Sequence, residues 1–324
     1  SLGLLGVTVD EKYGGAGLGA LEATLIMEKL AEVCASTTLS YLAHSILCVN
    51  NIGENASEEQ KQRYLPKLNS GEWLGAMGMT EPEAGSDALG MTTKAVKKGN
   101  KYLLTGTKTF ITNGPFADIF VIYARTGTGR KEISTFIVEK SFPGFRVGKR
   151  LHKFGMRGSP TSELIFENCE VPVENLIGRE NDSTSHMMRN LNIERITISG
   201  ISLGIASACL SYVTQYTQDR KQFNTPISSF QMVQERVAEM ATGLDAGRAL
   251  VYAAARAYDH GVNTMMLGAK SKLFTAQMAT KAGENLRIAV GASARINITG
   301  VDRIVVGDTE VMDVVPAGGA LVVT

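Results

Sequence analysis

The segment NLNIERITISGISLGIASA places one carboxylate in strongly apolar surroundings. On a helix, one face would carry Leu191, Glu194, Ile198, Ile201 and Ile205. The glutamate is the only charged residue on that face. A carboxyl group in low-polarity surroundings holds its proton more readily than in water, which is how a glutamate becomes a general base near neutral pH. The residues alone leave an alternative, a structural ion pair with the arginine that follows.

The segment MGMTEPEAGSD, residues 77–87, is a candidate ligand-binding loop. Its small residues and Pro82 let the backbone approach a planar or anionic ligand closely, and Thr80 and Ser86 supply hydroxyl groups. Taken alone, the segment predicts only a glycine-containing loop.

The segment RKQFNTPISSFQ, residues 220–231, is a third candidate. Arg220 and Lys221 can meet a phosphate, Phe223 can stack on a base, and Gln231 can donate or accept a hydrogen bond. The alternative interpretation is a solvated helix end.

Several other chemistries lack the residues they need. GGAGLG, residues 14–19, has Ala20 where a dinucleotide fingerprint needs its last glycine, so it predicts a loop. The four histidines show neither H-x-x-x-H nor H-E-x-x-H spacing, so no metal site is expected. No G-x-S-x-G elbow indicates a serine hydrolase.

Composition indicates an ordinary globular protein. The 324 residues suggest about two domains by the usual length prior. With 33 basic and 32 acidic residues the net charge is +1, which disfavours a nucleic-acid binder. Four dispersed cysteines predict no disulfide scaffold. No membrane span or signal segment is expected, and the start without Met suggests a fragment or a processed chain.

The hydrophobic pattern predicts three consecutive domains in an α+β fold. Residues 1–72 read as a truncated helical domain, in which Ser57 and Gln60 form a capping-box pattern near Pro66. Residues 73–180 contain short strands between turn signals, which indicates an antiparallel β barrel or sandwich. Residues 181–324 read as a helical bundle broken at 220–231, with an atypical strand-like tail after Lys281.

Together these segments resemble the acyl-CoA dehydrogenase family. The matching stretches are YGGAG, MGMTEPEAGSD, FITNG, FGMRGSPTSELIFENCEVP and RKQFNTPISSFQ, in the family's order over about residues 1–281. LSYLAHSILCVNN and NLNIERITISGISLG resemble its isovaleryl-CoA dehydrogenase branch. In that branch and in the long-chain one, the catalytic glutamate lies on the helix that here carries Glu194.

The resemblance implies a homotetramer with one FAD per subunit, and it implies roles for individual residues. Thr80 and Thr112 would hydrogen-bond the flavin ring, Phe110 would pack against it, and Arg220 and Gln231 would hold the adenosine diphosphate portion across a subunit interface. The full set of implied FAD-binding residues is Met77, Met79, Thr80, Gly85, Ser86, Phe110, Ile111, Thr112, Arg220, Phe223 and Gln231. Ser86, Asn192 and Arg195 would contact the acyl-CoA.

The implied activity is dehydrogenation of a short branched acyl-CoA, isovaleryl-CoA, in leucine breakdown. Glu194 would remove the α proton while the β hydrogen leaves as hydride to flavin N5. Electrons would then pass to an electron-transferring flavoprotein. The alternatives are another short, branched or long acyl-CoA, or a catalytically silent binding or assembly subunit. The expected compartment is the mitochondrial matrix in a eukaryote and the cytoplasm in a bacterium.

Two departures from the family pattern stand out. Asn224 replaces the usual glycine in RKQFG, which is tolerable because Asn adopts positive φ more readily than most residues. Where relatives carry a Q-x-x-G-G-x-G stretch and a flavin-closing segment, this chain has RIAVGASARINITG and GDTEVMDVVPAGGALVV. Either the helix and the flavin-closing loop are remodelled, or the tail comes from an alternative transcript or a reading error.

Overall fold

The computed structural model of the chain describes residues 3–290, 295–296, 314–317 and 320–323. The chain forms two compact units. Unit 1 comprises Ser1–Gly19, Leu39–His152 and Ser159–Glu194, and unit 2 comprises Ala20–Thr38, Lys153–Gly158 and Arg195–Thr324.

The amino-terminal part is helical, as the apolar spacing predicts. Its helices are α1 (Ala20–Leu42), a π-helix (Ala43–Asn50), α2 (Asn51–Asn55) and α3 (Glu58–Ser70). Within α1, Cys34 has non-helical backbone angles (φ −153°, ψ 99°), so the helix is kinked there. The predicted capping box is present, since Gln60 N donates to Ser57 Oγ and Ser57 N donates to Gln60 Oε1. Pro66 lies within α3.

The central domain of unit 1 is one eight-stranded sheet. Its strands are β1 (Gly75–Gly78), β2 (Lys94–Lys98), β3 (Lys101–Thr112), β4 (Ile119–Arg125), β5 (Ile133–Glu139), β6 (Phe145–Arg150), β7 (Thr161–Pro172) and β8 (Leu176–Ile177). The strand order is β6-β7-β3-β2-β4-β5-β8, and β1 pairs with β4. Helical ends around a central sheet confirm the predicted fold class.

The sheet is not wholly antiparallel, which corrects the prediction. Strand β1 pairs parallel to β4 over four residue pairs, and β2 meets β4 in parallel at Lys94 and Arg125. Turn signals reveal hairpins but not pairings between distant segments, so periodicity could not show these contacts. Two of the apolar clusters in the described part of unit 1 link the strands to each other and to the helices. One is centred on Tyr102, Phe120, Phe136 and Phe166 within the sheet, and the other joins the helices to β4 and β5.

Unit 2 is built largely from three long helices. They are α4 (Thr184–Asp219), whose part from Arg195 onward belongs to this unit, α5 (Gln231–Asp259) and α6 (Met265–Val290). Their shared core is formed by Leu203, Ala206, Cys209, Val213, Met240, Leu244, Val251, Met278, Ala282 and Leu286. The predicted break at 220–231 is a hairpin of β9 (Lys221–Gln222) and β10 (Thr225–Pro226).

The end of the chain differs in part from the prediction. Helix α6 continues past Lys281 to Val290, so the strand-like pattern does not begin where we expected. Beyond it the short strands β11 (Arg295–Ile296), β12 (Val314–Ala317) and β13 (Ala320–Val323) pair antiparallel. The rest of the divergent tail lies outside the described residues.

Two further expectations concern cysteines and membranes. All four cysteines are free thiols, as predicted. Among the described residues, α4 is long and apolar enough to cross a membrane, with a mean hydropathy of 1.7. However, 56% of that apolar stretch is buried inside the protein, as in the core helix of a globular protein.

Candidate functional site

The first turns of α4 lie against the strand that leads into the MGMTEPEAGSD segment. Met187 is buried, and Leu191 packs against the same apolar cluster as Met77 and Met79. Glu194 follows Leu191 by three residues and therefore lies on the same side of the helix. Its side chain is half-buried, so it does not extend into bulk solvent. The structure thus packs Leu191, one turn before the predicted base, into the apolar cluster that includes the predicted flavin contacts Met77 and Met79.

Asn190 adds a buried amide one turn before Glu194. Its side chain is 3% exposed, and its Nδ2 lies 3.6 Å from the Met77 sulfur. Among the described residues, its Oδ1 has no hydrogen-bond partner. Such a buried, unpaired acceptor is costly unless a ligand or water satisfies it. Sequence reasoning missed Asn190, and its i, i+4 spacing to Glu194 was the signal that could have found it.

The backbone of residues 79–81 is anchored from strand β3. Lys108 Nζ donates to the carbonyl oxygen of Met79 at 3.0 Å, and Thr109 N donates to that of Thr80 at 2.9 Å. Thr80 is half-buried and lies between the two anchored peptides. Its position is therefore set by two consecutive residues of β3.

Glu81 and Lys108 form a buried ion pair. Their Oε1 and Nζ atoms are 2.8 Å apart, and the side chains are 3% and 0% exposed. Glu81 also accepts hydrogen bonds from Thr92 N and Oγ1 and from Thr93 N. Burial raises the pKa of Glu81, but Lys108 and these donors outweigh it and lower the pKa to about 2. Burial lowers the pKa of Lys108 to about 8, although Glu81 opposes this effect.

The FITNG segment presents an exposed aromatic ring beside threonines. Phe110 is 68% exposed and has a positive φ of 58°, which is unusual for a bulky residue. Ile111 is buried in the sheet core and Thr112 is half-buried. The hydrogen bond from Thr109 to Thr80 brings this strand end to the 77–81 segment. An exposed ring beside threonine hydroxyls fits a planar heterocycle with hydrogen-bonding edges, so these residues suit a flavin.

The loop after Glu81 begins with two backbone hydrogen bonds, and the residues that follow them are exposed. Glu81 N donates to Ala84 O at 3.1 Å, and Ala84 N donates back to Glu81 O at 3.2 Å. Gly85 and Ser86, which follow, are exposed. A ligand can therefore reach both residues without displacing the core.

The remaining predicted substrate contacts lie on α4. Asn192 and Arg195 are both half-buried. Arg195 is the first α4 residue of unit 2, and its carbonyl oxygen accepts a hydrogen bond from Ser199 Oγ at 2.8 Å.

Arg220 and Gln231, the predicted contacts to the adenosine diphosphate portion, and Phe223, another predicted FAD contact, all belong to unit 2 and are exposed. Arg220 directly follows α4, Phe223 lies in the hairpin turn, and Gln231 is the first residue of α5. Phe223 and Asn224 have φ values of 51° and 61°, a two-residue turn that requires positive φ at both positions. The expectation that Asn224 takes a glycine-like conformation is confirmed.

Comparisons with known proteins match the chain from its amino-terminal to its carboxyl-terminal part. Three family models match, described as the acyl-CoA dehydrogenase N-terminal domain at residues 1–72, the middle domain at 76–169 and the C-terminal domain at 184–312. The chain is similar to the mitochondrial isovaleryl-CoA dehydrogenase of Pongo abelii, with 46% identity over 285 residues, which is 87% of this chain and 67% of that protein.

Solved structures show the same similarity. Butyryl-CoA dehydrogenase from Megasphaera elsdenii matches with a TM-score of 0.87 and 37% identity, covering 90% of this chain and 78% of that one. The FAD complex of PigA matches with a TM-score of 0.86 and 32% identity, covering 89% and 76%. These matches confirm the expectation of a flavin-dependent oxidoreductase of the acyl-CoA dehydrogenase type. The chain belongs to the acyl-CoA dehydrogenase family.

Proposed function

We propose that the protein is an FAD-dependent dehydrogenase that converts isovaleryl-CoA to 3-methylcrotonyl-CoA in leucine breakdown. One observation carries this proposal above the others. Glu194 is a half-buried carboxylate on the face of α4 that packs, through Leu191, beside Met77 and Met79. The 46% identity to an isovaleryl-CoA dehydrogenase supports the choice of substrate.

Glu194 acts as the general base and takes the α proton of the acyl thioester onto its carboxylate. FAD supplies the acceptor for the hydride that leaves the β carbon, so the substrate loses one proton and one hydride and gains a double bond. Removal of the α proton needs a base held close to the carbon and excluded from bulk water. The packing of Leu191, one turn before Glu194, into the cluster that includes Met77 and Met79 supports this role.

Other residues bind and orient the two ligands. Thr80 and Thr112 hydrogen-bond the flavin ring, Phe110 stacks on it, and the segment from Met77 to Ser86 wraps it, including Met79 and Gly85. Ser86, Asn192 and Arg195 contact the acyl-CoA. Arg220 and Gln231 hold the adenosine diphosphate portion of FAD across a subunit interface, and Phe223 also contacts FAD. The proposed assembly is a homotetramer. The electron acceptor is an electron-transferring flavoprotein.

Flavin bleaching tests the proposal directly. Purified protein loaded with FAD is mixed with isovaleryl-CoA without an electron acceptor, and the flavin absorbance is followed. We expect rapid bleaching by the parent and a loss of at least about 10³-fold in rate for Glu194→Gln, since the amide cannot take the proton. Glu284→Gln, at an exposed position on α6, is the control. A Glu194→Gln variant that bleaches at the parental rate would refute the role of Glu194.

A second candidate is a dehydrogenase for another short acyl-CoA, favoured by the structural match to butyryl-CoA dehydrogenase. Comparing kcat/KM for butyryl-, 2-methylbutyryl-, isovaleryl- and octanoyl-CoA separates the candidates. One methylene in an apolar pocket is worth about 1–3 kcal/mol, or roughly 10- to 200-fold. If butyryl-CoA gives the highest value, isovaleryl-CoA is not the substrate. A protein that acquires no flavin absorbance after FAD addition would contradict both candidates.

A further inference from the structure

The proposed reaction does not use the buried ion pair that Glu81 and Lys108 form in unit 1. Both charges are almost fully removed from solvent, with 3% and 0% exposure. A buried ion pair is weak evidence for stability, because desolvation of two charges offsets their attraction and an apolar pair of similar volume is often as stable. The arrangement around this pair therefore needs another explanation.

Lys108 on β3 binds two acceptors of residues 79–81 with one ammonium group. Its Nζ donates to Glu81 Oε1 at 2.8 Å and to the carbonyl oxygen of Met79 at 3.0 Å. These two acceptors lie on either side of Thr80. With the adjacent bond from Thr109 N to Thr80 O, strand β3 holds three consecutive residues, 79 to 81. An apolar side chain at position 108 could pack there but could not bind either acceptor.

Glu81 extends the same attachment to a third segment. Its Oε2 accepts from both the backbone N and the hydroxyl of Thr92, at 2.6 and 2.8 Å, and its Oε1 accepts from Thr93 N at 3.0 Å. Glu81 also closes the base of the following loop through its backbone bonds to Ala84. One carboxylate thus connects the chain after β1, the two residues just before β2, and Lys108.

We propose that Glu81 and Lys108 are positioning residues for the flavin: their clamp fixes the backbone of residues 79–81 and so holds Thr80 and the following loop where FAD binds. This inference rests on the proposed function, because it takes Thr80 as a flavin contact. Neither side chain needs to touch the cofactor. The clamp fixes the conformation before binding, so FAD does not have to order the segment itself.

The central experiment uses the double variant Glu81→Gln/Lys108→Met, which removes both charges together and leaves no uncompensated buried charge. The dissociation constant for FAD is measured by fluorescence quenching on protein freed of flavin, and unfolding is followed in the same flavin-free form. We expect the dissociation constant to rise at least about ten-fold, which is 1.4 kcal/mol, with a changed absorption spectrum of the bound flavin. The unfolding midpoint of the flavin-free protein should stay close to that of the parent.

A milder variant keeps the test decisive if the double variant does not fold. Thr92→Val removes one hydroxyl donor to Glu81 at an exposed position and preserves the shape of the side chain. Thr105→Val is its control, since Thr105 is also exposed and loses a hydroxyl bond to Asn168, away from the clamp. We expect Thr92→Val to weaken FAD binding about three-fold and Thr105→Val to leave it unchanged.

The outcomes separate this inference from the function on which it rests. If the parent binds FAD and the variants of Glu81, Lys108 and Thr92 bind it equally well with the parental spectrum, the clamp is purely structural and the inference is wrong. If the parent itself takes up no FAD, the proposed function fails and this inference fails with it.

Discussion

In the proposed reaction Glu194 acts through the position of one carboxylate, so its side-chain length should matter as much as its charge. Glu194→Asp keeps the carboxylate but withdraws it by one methylene from the face it shares with Leu191. A displacement of about 1 Å in a reacting group can reduce a rate about 100-fold. We predict a loss of that size in the rate of flavin reduction, measured by stopped-flow absorbance, with FAD content unchanged. An aspartate variant as fast as the parent would mean that the base lies elsewhere.

His44 makes folding stability depend on pH. Its side chain is 1% exposed, its Nδ1 accepts from Gly75 N at 2.9 Å, and its Nε2 lies 3.1 Å from Leu68 O, so the ring is neutral with the proton on Nε2. Burial lowers its pKa from 6.5 to about 4, although the Leu68 carbonyl opposes this. The unfolded chain therefore binds a proton that the folded protein does not. The stability contributed by the neutral ring is complete above pH 6.5 and is lost as the pH falls toward 4.

Urea unfolding across that pH range measures the effect. The pKa difference corresponds to a decrease of roughly 3 kcal/mol in the free energy of unfolding. His44→Gln should be less stable at neutral pH but should lose much less stability on acidification. His260→Gln, at the exposed end of α5, should follow the parent. If His44→Gln retains the parental pH dependence, another group causes it.

At the level of single residues, Glu194, Thr80 and Phe110 stay predictions. They were made because their segments resemble a family and their residue types suit the reaction. Lys108 was missed, because a lysine in a strand predicts an exposed side chain, and only the packing of β3 against residues 79–81 shows that it is buried. Buried charge is a property of tertiary structure rather than of local pattern.

At the level of elements, two glycines let α4 approach α1 within unit 2. A Cβ on Gly200 would lie 2.7 Å from Thr24 O, and one on Gly204 would lie 2.3 Å from Glu28 O. Both obstacles are backbone atoms, which move only if the helix moves. Close contact between the two helices therefore requires glycine at both positions.

Gly204→Ala should consequently destabilise the protein. We predict a loss of about 1–3 kcal/mol in the free energy of unfolding, measured by denaturant titration, because overpacking outweighs the better helix propensity of alanine. Gly243→Ala in α5 is the matched control. Its new Cβ would lie 3.1 Å from Met278 Cγ, a flexible side chain that can shift, so we expect no loss. Equal stability of the two variants would show that α1 and α4 can separate at little cost.

Local sequence signals predicted elements well where residues close to one another in the sequence determine the structure. The capping box at Ser57 and the break between helices at 220–231 are both present, although the hairpin within that break was not predicted. The kink at Cys34 and the π-helix from Ala43 to Asn50 were not predicted. Apolar spacing identifies a helix but not a change in its hydrogen-bond period, which depends on what the helix packs against.

For the whole molecule, the two units cut across the predicted consecutive domains. Residues 20–38 of α1 belong with the helices from Arg195 onward, and residues 39–42 belong with the sheet. A salt bridge within unit 2 shows why, since Arg248 on α5 binds Glu28 on α1 at 2.7 Å. Composition changes along the chain mark where element types change. They do not show which distant helices share a core, so sequence alone could not give this division.

Unit 2 also exposes apolar side chains that suit self-association. Phe223 is 84% exposed and packs edge-on against Phe230, and Met232 at the start of α5 is 79% exposed. Further exposed apolar residues on α6 are Met265, Met266, Leu273 and Phe274. Large exposed apolar surfaces on folded proteins usually mark interaction sites. The positive φ of Phe223 is a strained conformation for an aromatic residue, of the kind that tends to persist at functional sites.

We therefore predict that Phe223→Ser lowers both the assembly state and the affinity for FAD. The proposed homotetramer buries this hairpin against a neighbouring subunit, so losing its aromatic ring removes apolar contact area at about 25 cal/mol per Å². Light scattering coupled to size exclusion should show the parent as a tetramer and the variant shifted to smaller species with less bound FAD. Val96→Ser, which changes an exposed apolar residue on β2 in unit 1, should leave both quantities unchanged. A tetramer with full FAD content in Phe223→Ser would place the subunit contact on another surface.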